Sequence, residues 1–310
     1  MIVYQGPPEG WEAPPGGSAV AVGVFDGVHL GHRRVLDALV DADPDLVRVA
    51  MTFGTHPAVL LSSEGAPSRL STLKRRFELL ADGGIERVAV LRFDESMRAM
   101  TPDEFVRRFL VDGLNARFVA VGIDFRFGAA ASGSVETLVE LGDRFGFNVV
   151  AVDIVSKHGS EVRSTVIRAA IESGDVAGAA AMLGRPYEIE GIVVPGDGRG
   201  RKLGIPTANV SFPAVLTVPD YGVYAVIATI DGVDYPAVAN LGIRPTFDSN
   251  DEVLEVHVID HAQDLYGKHV TIGFVERIRE ERRFESIDDL VAQIRKDIAT
   301  AKDALNDHTP

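Results

Sequence analysis

Two stretches of the chain carry residues whose types and spacing suit phosphate chemistry. The first, from Gly191 to Val210, reads GIVVPGDGRGRKLGIPTANV and packs five glycines and three cations into twenty residues. Gly196, Gly198, Gly200 and Gly204 free the backbone to curl its N–H groups around an anion, which Arg199, Arg201 and Lys202 neutralise. The spacing fits neither GxxxxGK[ST] nor GxGxxG, and glycine with arginine alone suits a surface turn equally well. Thr207 and Asn209 then add two neutral oxygens at i, i+2. On an extended segment these face one side, an arrangement Mg²⁺ accepts when phosphates complete its shell. The second stretch, GVFDGVHLGHRRVL from Gly23 to Leu36, sets His29 and His32 three apart at an expected helix start, with Gly31 between them to let a nucleotide approach the backbone. Unpaired N–H groups at such a start suit an α-phosphate and a departing pyrophosphate. Helix capping, or an i, i+3 metal pair, fits the same spacing, although no third Cys or His ligand lies nearby.

Behind these stretches stand two kinds of pattern. Short apolar runs at 18–25, 45–53, 87–93, 118–125 and 147–155 alternate with helical stretches such as 72–81 and 102–110. Buried strands alternating with helices predict a doubly wound α/β parallel sheet, whose ligands sit beyond the carboxyl ends of the strands. After Tyr187 the period becomes two, at 224–230, 235–242, 253–259 and 269–275, which predicts a small closed antiparallel β-barrel. Asp231-Gly232 signals a type I′ hairpin within it. A terminal helix over 287–305 carries Ile287, Leu290, Val291, Ile294, Ile298 and Leu305 on one stripe and should pack on the barrel. Glu255 and His257 share one side of their strand, so a carboxylate beside the phosphate loop could take a proton from a substrate hydroxyl. An exposed glutamate paired with a lysine is the plainer alternative.

The 310 residues suit two domains, with 46% hydrophobic residues to build two cores. A net charge of -14 argues against a protein that coats nucleic acid or an anionic membrane. With no cysteine there is neither a disulfide framework nor thiolate catalysis. No leader pattern opens the chain and no run approaches about 18 apolar residues, so a soluble cytoplasmic protein is expected. An oligomer is left open.

The Gly196–Asn209 pattern, GxGRGRxLGxPTAN, resembles the signature of riboflavin kinase. The HxGH tetrad from His29 to His32 resembles the nucleotidyltransferase superfamily, which also includes class I aminoacyl-tRNA synthetases and pantetheine-phosphate adenylyltransferase. Together with TFGTHP at 52–57, GIDFRFG at 122–128 and the run at 163–187, it looks like the FMN adenylyltransferase half of the bacterial bifunctional flavin enzyme. The resemblance spans about Ser18 to Leu305. It implies residues 1–185 for adenylyl transfer and 186–310 for riboflavin phosphorylation, with Mg²⁺, ATP as co-substrate, and riboflavin, FMN and FAD as ligands.

Residue by residue, the resemblance implies ATP contacts from Gly23, Phe25, Asp26, Gly27, His29, Gly31, His32, Asp124, Ser164, Thr165 and Arg168. It makes Gly196, Gly198, Arg199, Gly200, Lys202, Gly204 and Pro206 the kinase phosphate loop. Thr207 and Asn209 become metal ligands and Glu255 the base, while Asn240, Arg244, Pro245 and Thr246 also match the kinase pattern. The chain departs from the family at Gly54 and Thr55 (usually Asp-Pro), at Arg163 (usually Ser) and at Ser134 (usually acidic). An adenylyltransferase with a merely regulatory barrel, or a flavin-sensing protein, are the rival readings. The first would release no ADP from riboflavin, and the second would show no turnover.

Overall fold

The computed structural model describes residues 1–56, 58–61, 65–157, 159–196, 198, 200, 203–245, 250–260 and 264–306. Two compact units make up the chain, Met1–Pro67 with Thr72–Arg163, and Ser68–Ser71 with Ser164–Pro310.

The first unit is a six-stranded, wholly parallel sheet of β1 (Ile2–Tyr4), β2 (Ser18–Val22), β3 (Val47–Phe53), β4 (Arg87–Leu91), β5 (Ala116–Gly122) and β6 (Asn148–Val152), in the order β1-β4-β3-β2-β5-β6. Central β2, SAVAV, is buried throughout, as a strand covered on both faces must be. Its Val20 and Val22 join one core with Met51 and Leu110, while Ala19 and Ala21 join another with Leu36, Leu39 and Leu80. Connections run through α1 (Leu30–Val40), α2 (Ala58–Leu61), α3 (Leu73–Asp82), α4 (Glu95–Arg98), α5 (Pro102–Phe105) and α6 (Val135–Phe145). A π-helix, Val106–Gly113, continues α5 where one uniform helix was expected. The three-residue edge strand β1 is too short to give a periodic signal. A two-stranded ribbon, β7 (Ser156–Lys157) with β8 (Ser160–Glu161), follows β6.

From β2 the chain moves to β3 and then β4 on one side, and returns to β5 on the other. The strand order therefore reverses between β2 and β5, whose carboxyl ends frame the crevice where such sheets take ligands. The expected strands at 18–25 and 118–125 stop short, at Val22 and Gly122, because their last residues turn out to form that crevice.

The second unit opens with α7 (Ser164–Glu172) and α8 (Val176–Leu183), and α8 packs on β9 (Tyr187–Val194) and β14 (His269–Glu280). With β10 (Ala208–Ser211), β11 (Gly222–Ile230), β12 (Val233–Pro245) and β13 (Asn250–Val258) these close a barrel, β10-β13-β12-β11-β14-β9, antiparallel at its ladders. The packing of α8 puts the contact division between Arg163 and Ser164, so Arg185 lies inside this unit. Asp231 (φ 51°) and Gly232 (φ 81°) are both left-handed, as a type I′ hairpin requires. Ser68–Ser71 is stitched to the segment before β11. Val215 O accepts from Arg69 N–H (2.7 Å), Thr217 N–H donates to Arg69 O (2.8 Å), and Arg168 Nε donates to Ser68 O (2.6 Å).

The terminal helix α9 (Ile287–Leu305) buries Ala301 and Leu305 against Val223, Val238 and Ile259. Only its second half packs there. Ile287, expected on the packing stripe, is 66% exposed, a correction that follows from the helix start lying beyond the barrel core.

Candidate functional site

In the first unit, the turn after β2 is held in unusual backbone conformations: Phe25 (φ 53°), Gly27 (φ 76°) and Val28 (φ 40°) are all left-handed. For the β-branched Val28 this is strained, and its complete burial shows that packing enforces it. His29 caps α1, its Nδ1 accepting from His32 N–H at 3.2 Å. The capping role and the phosphate role are compatible, because an accepting Nδ1 leaves the ring proton on Nε2. The two rings stack with centroids 3.6 Å apart and 15° between planes, and Phe25 meets His32 edge-on at 5.2 Å. Burial first, then the electrostatic influence of neighbouring His29 and of the Arg76 charge, hold the His32 pKa well below the ordinary 6.5. His32 is therefore a neutral imidazole at pH 7.

The structure adds a second reason for Gly31. A Cβ there would stand 3.1 Å from His29 Cε1 and 3.3 Å from Val162 O, so the missing side chain serves ring stacking and the approach of Val162. Gly23 likewise lies under Phe25, 3.2 Å from a would-be Cβ to the ring. Asp26 is buried and faces buried Arg76, with Nη2 and Oδ1 3.6 Å apart, while Arg76 Nη1 donates to Phe53 O at 3.1 Å. Asp26 thus braces the turn from behind. Asp124, two residues beyond β5, is half-exposed and accepts from Arg163 Nη1 at 2.6 Å. Ser134 caps α6 and His56 Nδ1 accepts from Ala58 N–H at 3.1 Å, so both have local structural work.

Ser164, Thr165 and Arg168 open α7 and belong to the second unit. Arg168 is not a solvated surface arginine. Its side chain is buried, and it secures Ser68.

The second unit contains a cavity of about 920 Å³ on the outer face of the barrel. Gly198, Gly200, Thr207, Asn209, Glu255 and His257 line it. The antiparallel register sets Asn209 opposite Glu255 and Glu255 opposite Asn240, a single row across β10, β13 and β12. Paired positions point to the same face, with Cβ atoms about 5 Å apart. Leu254 and Val256 point into the barrel while Val253, Glu255 and His257 face out, so the expected sharing of one side by Glu255 and His257 is what the strand shows. His257 Nδ1 lies 2.8 Å from Pro206 O, fixing the loop end against β13.

The glycines make room for the two oxygens. A Cβ on Gly196 would overlap the Asn209 amide, and one on Gly200 would overlap Ile205 O and stand 3.1 Å from Thr207 Oγ1. Gly198 (φ 65°) and Gly204 (φ 75°) supply left-handed turns. Arg199, Arg201, Lys202, Thr246, Pro57 and His158 lie outside the described residues.

Sequence reasoning assigned Asn240 no site, although its alternation with Val238 and Gly242 carried the signal. Nor did it find Arg279 and Asp297, which line the same cavity. Asp297 is 2% exposed and accepts from Arg279 Nε (3.1 Å) and Nη2 (2.7 Å) and from Gln293 Nε2 (2.7 Å). These partners are separated by a turn and half a helix, and no local pattern links them.

A crevice edged by neutral, stacked imidazoles at a helix start, and a barrel cavity with a carboxylate beside two neutral oxygens, define an enzyme class that transfers phosphate-containing groups. The comparisons narrow the class. A riboflavin kinase family model matches residues 183–305 and an FAD synthetase family model residues 12–166. The bifunctional riboflavin kinase/FMN adenylyltransferase of Escherichia coli strain K12 is 39% identical, with 94% of each chain covered. That of Bacillus subtilis strain 168 is 36% identical over 90% of each. A crystal structure described as a macrolide-efflux protein from Streptococcus pneumoniae has a TM-score of 0.90 and 31% identity, covering 97% of this chain and 99% of its own. The chain belongs to the bifunctional riboflavin kinase/FMN adenylyltransferase family. Among the described residues, no helix is long and apolar enough to cross a membrane.

Proposed function

We propose that the family's two reactions are carried by two separate residue sets, the kinase set in the second unit and the histidine turn of adenylyl transfer in the first. The enzyme phosphorylates riboflavin with ATP to give FMN, then adenylylates FMN with a second ATP to give FAD and pyrophosphate. In the first step Glu255 takes the proton of the riboflavin 5′-hydroxyl as its oxygen bonds to the γ-phosphorus and ADP leaves. Thr207 and Asn209 would hold Mg²⁺, which neutralises phosphate charge when bound, and Asn240 flanks the carboxylate from the other side. The carrying observation is the row Asn209, Glu255, Asn240 along one cavity wall.

In the second step an FMN phosphate oxygen bonds to the α-phosphorus of ATP and the α–β bond breaks, without a covalent enzyme intermediate. The Nε2–H of His29 and neutral His32 donate to the oxygens on which charge develops, and Asp124 faces the nucleotide. The resemblance adds Ser164, Thr165 and Arg168 to the nucleotide contacts, and Gly196–Pro206 to the kinase phosphates. The resemblance assigns residues 1–185 to adenylyl transfer and 186–310 to the kinase, and we place the enzyme in the cytoplasm.

The test is to supply riboflavin with Mg-ATP and follow ADP, pyrophosphate, FMN and FAD together. ADP appearing with FMN, followed by pyrophosphate with FAD, is expected. Pyrophosphate from added FMN without ADP from riboflavin would reduce the barrel to a regulatory part.

A further inference from the structure

Arg163 stands where the family usually has serine, and three observations place it at the adenylyl-transfer crevice. Val162 O lies 3.3 Å from where a Gly31 Cβ would be, so the residue after it adjoins the His29–His32 turn. Arg163 Nη1 donates to Asp124 Oδ2 at 2.6 Å, and Nε donates to Glu161 at 2.7 Å. Asp124 itself follows β5, whose carboxyl end forms the crevice with β2. The other carboxylate oxygen, Oδ1, lies over Gly122, 3.2 Å from its would-be Cβ. One oxygen is thus clamped by the guanidinium and the other is held over the strand end.

A half-exposed aspartate at the mouth of a triphosphate site is electrostatically unfavourable. Its charge opposes that of the incoming nucleotide, and a free carboxylate rotates among several positions. Arginine corrects both faults, because its guanidinium is always charged and, anchored through Nε on Glu161, it holds the Asp124 carboxylate through Nη1. Serine would do neither.

We propose that Arg163 is a positioning residue for adenylyl transfer: it clamps Asp124 so that Oδ1 accepts a hydrogen bond from the nucleotide, and it offsets the aspartate charge in the path of the triphosphate. The proposal rests on the reading of Asp124 as a nucleotide-side residue. Arg163 acts on nucleotide binding, not on the bond-making atoms.

The experiment compares Arg163→Ala, Arg163→Lys, Arg163→Glu, Asp124→Ala and the Arg163→Ala/Asp124→Ala double variant in the full chain, reading KM for ATP and kcat of FAD formation from FMN. Arg163→Ala should raise KM by about fivefold, the upper end of an exposed ion pair, with kcat within about threefold. Arg163→Glu should raise it further, and Arg163→Lys should recover part of the loss. In the Asp124→Ala background, Arg163→Ala should add nothing. Riboflavin phosphorylation in the same preparations should stay at the wild-type rate, which shows the chain to be folded. An unchanged KM in Arg163→Ala and Arg163→Glu, with Asp124→Ala impaired, overturns the clamp. An unimpaired Asp124→Ala overturns the reading of Asp124 beneath it.

Discussion

Asn209 and Glu255 are directly opposed register partners on β10 and β13, so the proposed metal ligand and the proposed base are neighbours fixed by backbone hydrogen bonds. A barrel ladder is a rigid mount, and groups held this way need little reorganisation at the moment of transfer. Gly196 completes the arrangement, since the Asn209 amide occupies the space a side chain would take. Gly196→Ala should therefore displace Asn209 and lower riboflavin phosphorylation at least tenfold at limiting Mg²⁺, with recovery as Mg²⁺ is raised. Circular dichroism and FAD formation from FMN should be unchanged. A Mg²⁺ titration of ADP release identical to wild type would show that Gly196 has no hold on the ligand.

What the sequence made legible follows from which signals are local. Period-two alternation placed β11 to β14 and put Glu255 and His257 on one face, and Asp231-Gly232 gave its turn. Strands β9 and β10 flank the glycine-rich loop, whose composition masked them, and β1 has three residues. The crevice histidines were visible as a motif, but the second reason for Gly31 was not, because Val162 reaches it from far along the chain. Arg279 with Asp297 was invisible for the same reason: an ion pair across 18 residues leaves no periodic trace.

The neutral state of His32 fixes a pH dependence. A pKa depressed below 6.5 keeps the ring uncharged in the folded protein while the unfolded chain takes up a proton, so stability is fully present above about pH 6.5 and declines as pH falls below it. FAD formation should show no loss centred at the ordinary histidine pKa. His32→Ala should slow it by about 10² to 10³ and let FMN accumulate. Undiminished FAD formation by His32→Ala would remove the residue from the reaction.

The fragment 187–310 lacks α7 and α8, whose Val176, Met182 and Leu183 are buried. Burial of such side chains contributes about 1.5–3 kcal/mol each. Thermal unfolding should therefore place the 187–310 fragment more than about 10 °C below a 164–310 fragment. Both should phosphorylate riboflavin when folded at low temperature. Equal midpoints would show that α8 contributes nothing to the barrel.

Asp297→Ala should strand Arg279 beside the cavity without its bidentate partner. Asp297 is buried while the Arg279 side chain keeps 19% of its surface exposed, so the loss should be about 1.5–3 kcal/mol and the midpoint should drop accordingly. Asp297→Asn, which keeps an accepting oxygen, should lose less. The same denaturation curve for all three proteins would contradict the pairing.

The proton acceptor decides whether the barrel cavity is a kinase site, and Glu255→Gln tests it with size and shape preserved. Riboflavin phosphorylation, measured as ADP release, should fall by about 10² to 10⁴. Given FMN and ATP, the same protein should make FAD at the wild-type rate, because His29 and His32 lie in the other unit. Phosphorylation within about threefold of wild type, with FAD formation intact, would contradict the role of Glu255 and turn attention to His257 on the same face.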